Sequence, residues 1–281
     1  MTKKILIITD SGAKKFLGYG HIFRCLNIAN FLKKKYEITF FCKRKETHKV
    51  LKEQKFHYIK KVKSYKFFFD YILCDLPNSN QINFEKFKYN KLIIIDEFNN
   101  FKRKIKAKIY RSKNLKKFLF LKFSHLLKKK ETKNNKLKKL NFIISFGGTD
   151  FYNLSPLVYD ALCNNNSIKF KFLKKLTGKN FIPRNKIIQN YSSIFKSYKI
   201  DCFIGSGGNT MFQMLSNNIP CLIIPTNKIE RMYAQTLSKF TKVRLIDLNN
   251  NFLDEYKKVK KKKNFIIRRS LIINKFRLLF S

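Results

Sequence analysis

The chain has 281 residues, which is enough for two α/β domains of ordinary size. Its apolar residues fall in short runs, so no stretch reaches the ~20 apolar residues that a membrane-spanning helix needs. The first apolar run is also too short for a signal peptide. The six cysteines are far apart and form no Cys-x-x-Cys pair, which argues against a zinc site or a disulfide framework. We therefore expect a cytoplasmic protein with reduced thiols and no bound metal.

The formal net charge is +45, from 62 basic and 17 acidic residues, and such a value normally indicates nucleic acid or an anionic membrane as partner. However, the composition has many Lys and Phe residues and few Gly, Pro and Trp, as expected of an A/T-rich genome. The lysines also lie along the whole chain and do not alternate with aromatic residues in one segment. We predict a solvated basic surface without specific nucleic-acid binding, and a basic nucleic-acid-binding protein is the alternative.

The first half of the chain has the pattern of a parallel sheet. An apolar run at 5–9 precedes a glycine-containing loop and then, from His21, apolar residues at helical spacing, which predicts a strand, a loop and a helix. Three further strands are predicted at 37–42, 71–74 and 92–95. The last two are followed by Asp75 and Asp96. Apolar strands without polar alternation are typical of a sheet covered on both faces.

The same plan repeats after a Lys-, Asn- and Thr-rich stretch at 128–140, and we predict one domain at 1–133 and a second at 141–281. Strands of the second domain are predicted at 141–146, 169–173, 201–204 and 221–224. Helices are predicted at 155–163, 210–216, 231–239 and within 252–261. The last segment, 265–280, mixes apolar and basic residues at helical spacing. It is interpreted as a closing helix, and the alternative is a basic helix on an anionic membrane surface.

Eight of the nine glycines lie in three loops that follow apolar strands: Gly12, Gly18, Gly20, Gly147, Gly148, Gly205, Gly207 and Gly208. Glycine allows a ligand to approach the backbone closely. Doubly wound α/β domains bind ligands at the carboxyl ends of their strands, where loops meet helix amino termini. Backbone N–H groups and the helix dipole there favour an anionic diphosphate.

The first of these loops has the sequence Gly18-Tyr19-Gly20-His21-Ile22-Phe23-Arg24-Cys25. Its glycine spacing is neither that of a dinucleotide fingerprint nor that of a Walker loop. Its distinctive element is His21, which stands where the loop becomes a helix. Because a helix amino terminus disfavours positive charge, His21 should stay neutral and able to accept a proton. The alternative is a histidine that only caps its own helix.

Two more segments complete the pattern: Ser145-Phe146-Gly147-Gly148-Thr149-Asp150-Phe151-Tyr152-Asn153 and Gly205-Ser206-Gly207-Gly208-Asn209-Thr210. In this order and spacing, the three segments resemble the hydrolases of pseudaminic acid biosynthesis that cleave a UDP-activated diacetamido-trideoxy sugar, and related spore-coat polysaccharide proteins. Both belong to the GT-B group. The resemblance runs from Lys4 to about Lys239.

The resemblance implies an α/β fold with two Rossmann-like domains facing across a cleft (GT-B type) and a UDP-sugar substrate in that cleft. It implies that His21 is catalytic and activates or orients the water that displaces UDP from the anomeric carbon, without a cofactor or a metal. Residues that match substrate-contacting positions are Gly18, Gly20, Arg24, Asp75, Gly147, Gly148, Thr149, Asp150, Asn153, Ser206, Gly207, Gly208, Asn209, Thr210, Gln213 and Asn227.

The chain departs from the family's pattern at three places. Gln213 stands where the family has a Glu that in GT-B relatives reaches the ribose hydroxyls, and an amide binds them without charge assistance. Lys228 follows Asn227 where the family has Gln, and Leu76 follows Asp75 where the hydrolases have an aromatic residue. Hydrolysis remains the first expectation because the first domain has no evident apolar acceptor groove. A glycosyltransferase that uses the same donor is the alternative.

Overall fold

The computed structural model describes residues 2–12, 19–60, 67–127, 140–147, 150–173, 184–188, 199–262 and 268–280. The chain forms two compact units, one made of Met1–Lys128 with Arg269–Ser281 and the other of Lys129–Arg268. Each unit is built on one sheet of six strands, and all the neighbouring strand pairs are parallel. The predicted α/β fold with two Rossmann-like domains is confirmed.

The sheet of the first unit has a central pair of strands from which the chain winds outward in both directions. Its strands are β1 (Lys3–Thr9), β2 (Tyr36–Phe41), β3 (Tyr58–Ile59), β4 (Phe68–Asp75), β5 (Lys88–Asp96) and β6 (Lys108–Arg111). Their order is β3-β2-β1-β4-β5-β6, so the topological switch point lies between β1 and β4. At the carboxyl edge of this pair, Thr9 is in register with Asp75.

Helices cover the faces of this sheet: α1 (Gly20–Leu32), α2 (Lys45–Glu53), α3 (Leu115–Lys122) and α8 (Arg269–Leu279). Because both faces are covered, the residues of β1 from Ile5 to Ile8 are all buried, which explains their unbroken apolar run. None of the described helices is both long enough and apolar enough to cross a lipid bilayer.

The second unit repeats this winding. Its strands are β7 (Leu140–Ser145), β8 (Ile168–Leu173), β9 (Ile187–Ile188), β10 (Cys202–Gly205), β11 (Cys221–Ile223) and β12 (Val243–Leu245), and its helices are α4 (Leu154–Cys163), α5 (Asn209–Ser216), α6 (Lys228–Ser238) and α7 (Phe252–Lys260). The order is β12-β11-β10-β7-β8-β9, which places the switch point between β7 and β10. There Ser145 is in register with Gly205.

The last helix differs from the sequence-based domain division, because α8 belongs to the first unit and not to the second. The Arg269 guanidinium donates to the carbonyl oxygen of Leu126 at 2.7 Å. Phe276 is fully buried, and its ring packs edge-on against Phe120 with 5.1 Å between centroids. The apolar stripe of α8 thus closes the core of the unit that contains the amino-terminal strands.

Candidate functional site

Five ionisable side chains, four of them buried and one (Glu97) partly buried, meet at the switch point of the first sheet. They are His21 and Arg24 on α1, Asp75 at the end of β4, Glu97 directly after β5, and Lys122 at the end of α3. We call these five residues the charge cluster. Their side chains are 0% to 12% exposed. Since an unpaired buried charge is very costly, each of them must be neutralised by a neighbour.

The first contact in the charge cluster joins His21 to Asp75. Nδ1 of His21 lies 2.7 Å from Oδ1 of Asp75. Although burial opposes ionisation, the Arg24 guanidinium and His21 hold the pKa of Asp75 well below its usual range. An ionised carboxylate only accepts hydrogen bonds, so Nδ1 of His21 carries the proton and donates it. The lone pair of the neutral ring is therefore on Nε2, where no other described residue forms a hydrogen bond.

Arg24 is held between two carboxylates. Its Nε and Nη2 donate to Asp75 at 2.7 and 2.6 Å, which is a bidentate pair. Its Nη1 and Nη2 also donate to Oε2 of Glu97, each at 3.0 Å. The second oxygen of Glu97 accepts from Nζ of Lys122. Burial would raise the pKa of Glu97, but Lys122 and Arg24 lower it to about 2.

This geometry changes the roles that the sequence predicts for Arg24 and Asp75. Both match substrate-contacting positions of the resembling family, but Arg24 is 2% and Asp75 0% exposed, and both are hydrogen-bonded inside the cluster. Both side chains contact His21 within the cluster, and a contact of either one with a substrate stays a prediction. The interpretation of His21 as a cap of its own helix is wrong, because Nδ1 of its ring contacts two side chains, those of Asp75 and Arg24, and not a backbone N–H group of α1.

Sequence reasoning missed Glu97 and Lys122. Glu97 had a weak signal, since it follows the strand-end residue Asp96. Asp96 itself is used structurally, because it accepts from the backbone N–H groups of Asn100 and Phe101 and from Arg111. Lys122 had no signal at all, since it is one of 62 basic residues and its partner is remote along the chain.

In the first loop, Gly20 begins α1, whereas Gly18 lies outside the described residues. In the second unit, the loop after β7 contains a glycine that its backbone requires. Gly147 has a φ of +83°, which side chains with a Cβ rarely adopt. Gly148 and Thr149 lie outside the described residues.

Asp150 and Asn153, which follow in the same loop, organise the start of α4. The carboxylate of Asp150 accepts from the N–H groups of Leu154 and Ser155 at 2.9 and 3.0 Å. Its carboxylate therefore caps α4, and the residue is only 4% exposed; its predicted contact with the substrate stays a prediction. Asn153 is exposed, with a left-handed φ of 53°.

The loop after β10 leads into the amino terminus of α5, where the N-cap residue makes no side-chain cap hydrogen bond. Ser206 is buried, and its N–H donates to the carbonyl oxygen of Ser145 at 3.4 Å. The N-cap residue of α5 is Gly208, which has no side chain to cap the first turn. Asn209, Thr210 and Gln213 follow on α5 and are all half-buried. A helix amino terminus without a side-chain cap is suited to an anion.

A second helix amino terminus contacts this loop. A Cβ on Gly207 would lie 2.7 Å from the carbonyl oxygen of Glu230, so only glycine lets the first turn of α6 approach this closely. Asn227, predicted to contact the substrate, is exposed and caps α6 by accepting from the N–H of Glu230 at 2.9 Å. Glu230 was missed, although Asn227-x-x-Glu230 has the spacing of a capping box.

Within the described ranges, no group of three or more His, Cys, Asp or Glu residues could hold a metal ion. A cavity of about 580 Å³ lies at the amino-terminal ends of β4 and β5, lined by Phe68, Phe84 and Lys88 among others. That edge of the sheet is opposite to the charge cluster. The cluster, rather than the cavity, lies where doubly wound domains bind their ligands.

Comparison with known proteins identifies the fold. No protein-family model matches the chain. The uncharacterized protein MJ1062 of Methanocaldococcus jannaschii is 29% identical in an alignment of 308 positions, which includes 89% of this chain and 61% of that protein. The chain thus spans less than two thirds of that relative's length.

Several solved structures match nearly the whole chain. The glycosyltransferase SnogD from Streptomyces nogalater has a TM-score of 0.57 at 9% identity and covers 99% of this chain and 95% of its own. The spinosyn rhamnosyltransferase SpnG complexed with thymidine diphosphate has 0.54 at 8% identity, with 99% and 94% covered. The S. aureus MnaA–UDP structure has 0.50 at 12% identity, with 92% and 87% covered. The fold is of the GT-B type.

Within this GT-B fold, the chemistry that the first unit can perform is proton transfer at His21. The imidazole is fixed through Nδ1, its proton-free nitrogen is Nε2, and an ionised carboxylate supports the positive charge that follows proton uptake. A histidine held in this way can act as a general base. The second unit offers the amino terminus of α5, whose dipole favours negative charge.

Proposed function

We propose that the chain hydrolyses a UDP-activated amino sugar at the anomeric carbon, releasing UDP and the free sugar, in the biosynthesis of nonulosonic (pseudaminic) acid or a surface polysaccharide. The observation that carries the proposal is the His21–Asp75 hydrogen bond of 2.7 Å at the carboxyl edge of the first sheet. It fixes the tautomer in which Nε2 can take a proton from water.

In the proposed reaction, Nε2 of His21 removes a proton from a water molecule as its oxygen bonds to the anomeric carbon. The bond between that carbon and the diphosphate oxygen breaks, and its electron pair leaves with UDP. The water oxygen becomes the hydroxyl of the free sugar, and the proton passes from the imidazolium to solvent. Asp75 stabilises the imidazolium. A positioned base of this kind contributes typically ~10²–10⁴ in rate.

The proposed site for the nucleotide is the loop from Ser206 to Thr210. Its support is the α5 amino terminus, whose N-cap Gly208 has no side chain. The names of two proteins with the same fold include a nucleoside diphosphate, UDP in one and thymidine diphosphate in the other. Neither a cofactor nor a metal is part of the proposal.

Glycosyl transfer is the second candidate function, and it is favoured by the names of the structural neighbours, several of which are glycosyltransferases. Both functions need the same donor and the same departure of UDP. They differ in the group that attacks the anomeric carbon, which is water in one case and an acceptor hydroxyl in the other.

The test is incubation of the purified chain with a panel of UDP-sugars in H₂¹⁸O, with and without chelator, followed by mass spectrometry. Hydrolysis predicts UDP release without any acceptor, in the presence of chelator, and one ¹⁸O on the anomeric hydroxyl. His21→Ala should release UDP ~10²–10⁴ more slowly while its dissociation constant for UDP is unchanged. UDP release only after addition of an acceptor would establish transfer instead. A chain that binds no UDP would contradict both functions.

A further inference from the structure

We infer that Glu97 and Lys122 are positioning residues that set the charge beneath His21 and thereby determine how readily its imidazole takes up a proton. The inference rests on the proposed role of His21 as a base. Its structural basis is the chain of contacts from His21 to Asp75, Arg24, Glu97 and Lys122, in which the last four groups alternate in charge.

The position of Arg24 creates a difficulty for a base at His21. Nη2 of Arg24 lies 3.3 Å from Nδ1 of His21, and Arg24 also covers both oxygens of Asp75. A full positive charge at this distance opposes an imidazolium, because charges interact strongly where water is excluded. Arg24 alone would therefore cancel the support that Asp75 gives to His21.

Glu97 relieves this difficulty. It accepts from two nitrogens of Arg24 at 3.0 Å each, so the guanidinium is shared between two carboxylates. Glu97 is also close enough to His21 that the charge of the histidine contributes to lowering the pKa of Glu97. Asp75 consequently keeps negative charge that is available to His21.

Lys122 limits how much negative charge Glu97 adds to the charge cluster. Its ammonium donates to Glu97 from the end of α3, and its side chain is 4% exposed. With His21 neutral, the two carboxylates and the two cations of the charge cluster balance. Among the described residues, the thiol of Cys25 also lies near the charge cluster, 3.6 Å from Asp75, and burial raises its pKa well above the usual value, so it stays uncharged. Removal of Lys122 leaves one excess negative charge, and removal of Glu97 leaves one excess positive charge.

If the inference is correct, the His21 titration midpoint shifts in opposite directions when Glu97 and Lys122 are replaced. A network of ion pairs that only stabilises the fold predicts no such pair of shifts. The full chain is labelled with ¹⁵N-histidine, and the titration of the His21 ring is followed by NMR, with His21→Ala used to assign its signals. We expect the titration midpoint to fall by about one pH unit in Glu97→Gln and to rise by about one in Lys122→Met. In the double variant, whose cluster is again balanced, it should return close to that of the wild type.

The control is Glu255→Gln in the second unit, which breaks the ion pair of Glu255 with Arg244 and should leave the His21 midpoint unchanged. Thermal melting identifies variants that do not fold. Each single variant is a test by itself, because the inference fixes the direction in which the His21 titration midpoint moves. If one single variant does not fold, the other single variant and the charge-balanced double variant are still measured. Midpoints that do not move, or that move in the same direction in both single variants, would overturn it.

The NMR titration requires no substrate, so it separates this inference from the proposed hydrolysis. If the midpoints shift as expected while no UDP-sugar is cleaved, the hydrolase proposal fails and the electrostatic inference stands. If cleavage is observed, the acid limb of its pH profile should move in the same directions as the midpoints. The dissociation constant for UDP should be equal in all variants, because the cluster lies in the first unit.

Discussion

Asp75 holds His21 through one oxygen at 2.7 Å, while Arg24 binds the same carboxylate through both of its oxygens at 2.6 and 2.7 Å. The carboxylate therefore cannot rotate without breaking a buried bidentate pair. Because Asp75 is fixed, the imidazole is fixed as well, in both its plane and its tautomer. This relationship makes Asp75 the residue through which the rest of the cluster acts on His21.

Asp75→Asn should slow UDP release by ~10²–10⁴, because an amide neither fixes the Nδ1-protonated ring nor supports its positive charge. The dissociation constant for UDP should not change. The matched control is Asp96→Asn at the end of the neighbouring strand, since Asp96 is buried but contacts Arg111 and a loop instead of His21. Asp96→Asn should lower the melting temperature and leave turnover near that of the wild type. Equal losses of turnover in the two variants would contradict the role of Asp75.

Gly207 and Gly208 provide a second matched pair. A Cβ on Gly207 would approach the backbone oxygen of Glu230 to 2.7 Å, so Gly207→Ala should destabilise the chain by ~1–3 kcal/mol through overpacking. A Cβ on Gly208 would lie 3.4 Å from a carboxylate oxygen of Glu230, an ordinary van der Waals contact, so Gly208→Ala should fold normally. If the nucleotide approaches this loop, Gly208→Ala should nevertheless weaken UDP binding in calorimetry. Unchanged affinity with unchanged melting temperature would place the nucleotide elsewhere.

Stability should decrease in acid because of the two buried carboxylates. The pKa of Asp75 and that of Glu97 are lower in the folded chain than their ordinary values, and that of Glu97 falls to about 2. A carboxyl group with a lowered pKa stabilises the fold above its unfolded value of ~4 and loses this contribution as the pH falls toward the folded value. Melting temperatures should therefore drop steeply from about pH 4.5 to pH 2. Glu97→Gln should flatten this drop, whereas Glu53→Gln on the exposed surface should not.

The sheets were predictable from the sequence because parallel strands covered on both faces read as unbroken apolar runs, as at Ile5–Ile8. His21 was found because of its position between a glycine loop and a helix. The roles of Arg24 and Asp75 were not predictable, since a strand-end aspartate looks the same whether it faces a ligand or a buried arginine. Lys122 could not be found, because its contact with Glu97 arises only from the packing of α3.

The unit to which α8 belongs was likewise not predictable from the sequence. The apolar stripe of α8 indicates that one face of this helix is buried, but it does not indicate which of the two sheets the helix packs with. Its partner is decided by Arg269, which donates to Leu126, and by Phe276, which contacts Phe120. These contacts join residues that are remote along the chain.

The return of α8 to the first unit has a consequence for how the protein is made. The unit that begins with β1 is completed only by Arg269–Ser281, so a growing chain on the ribosome must synthesise the entire second unit before the first can finish folding. Until then, the surface of Phe120 that receives Phe276 stays uncovered. A frameshift or stop codon shortly before Arg269 would consequently leave the second unit intact and damage the unit that contains His21.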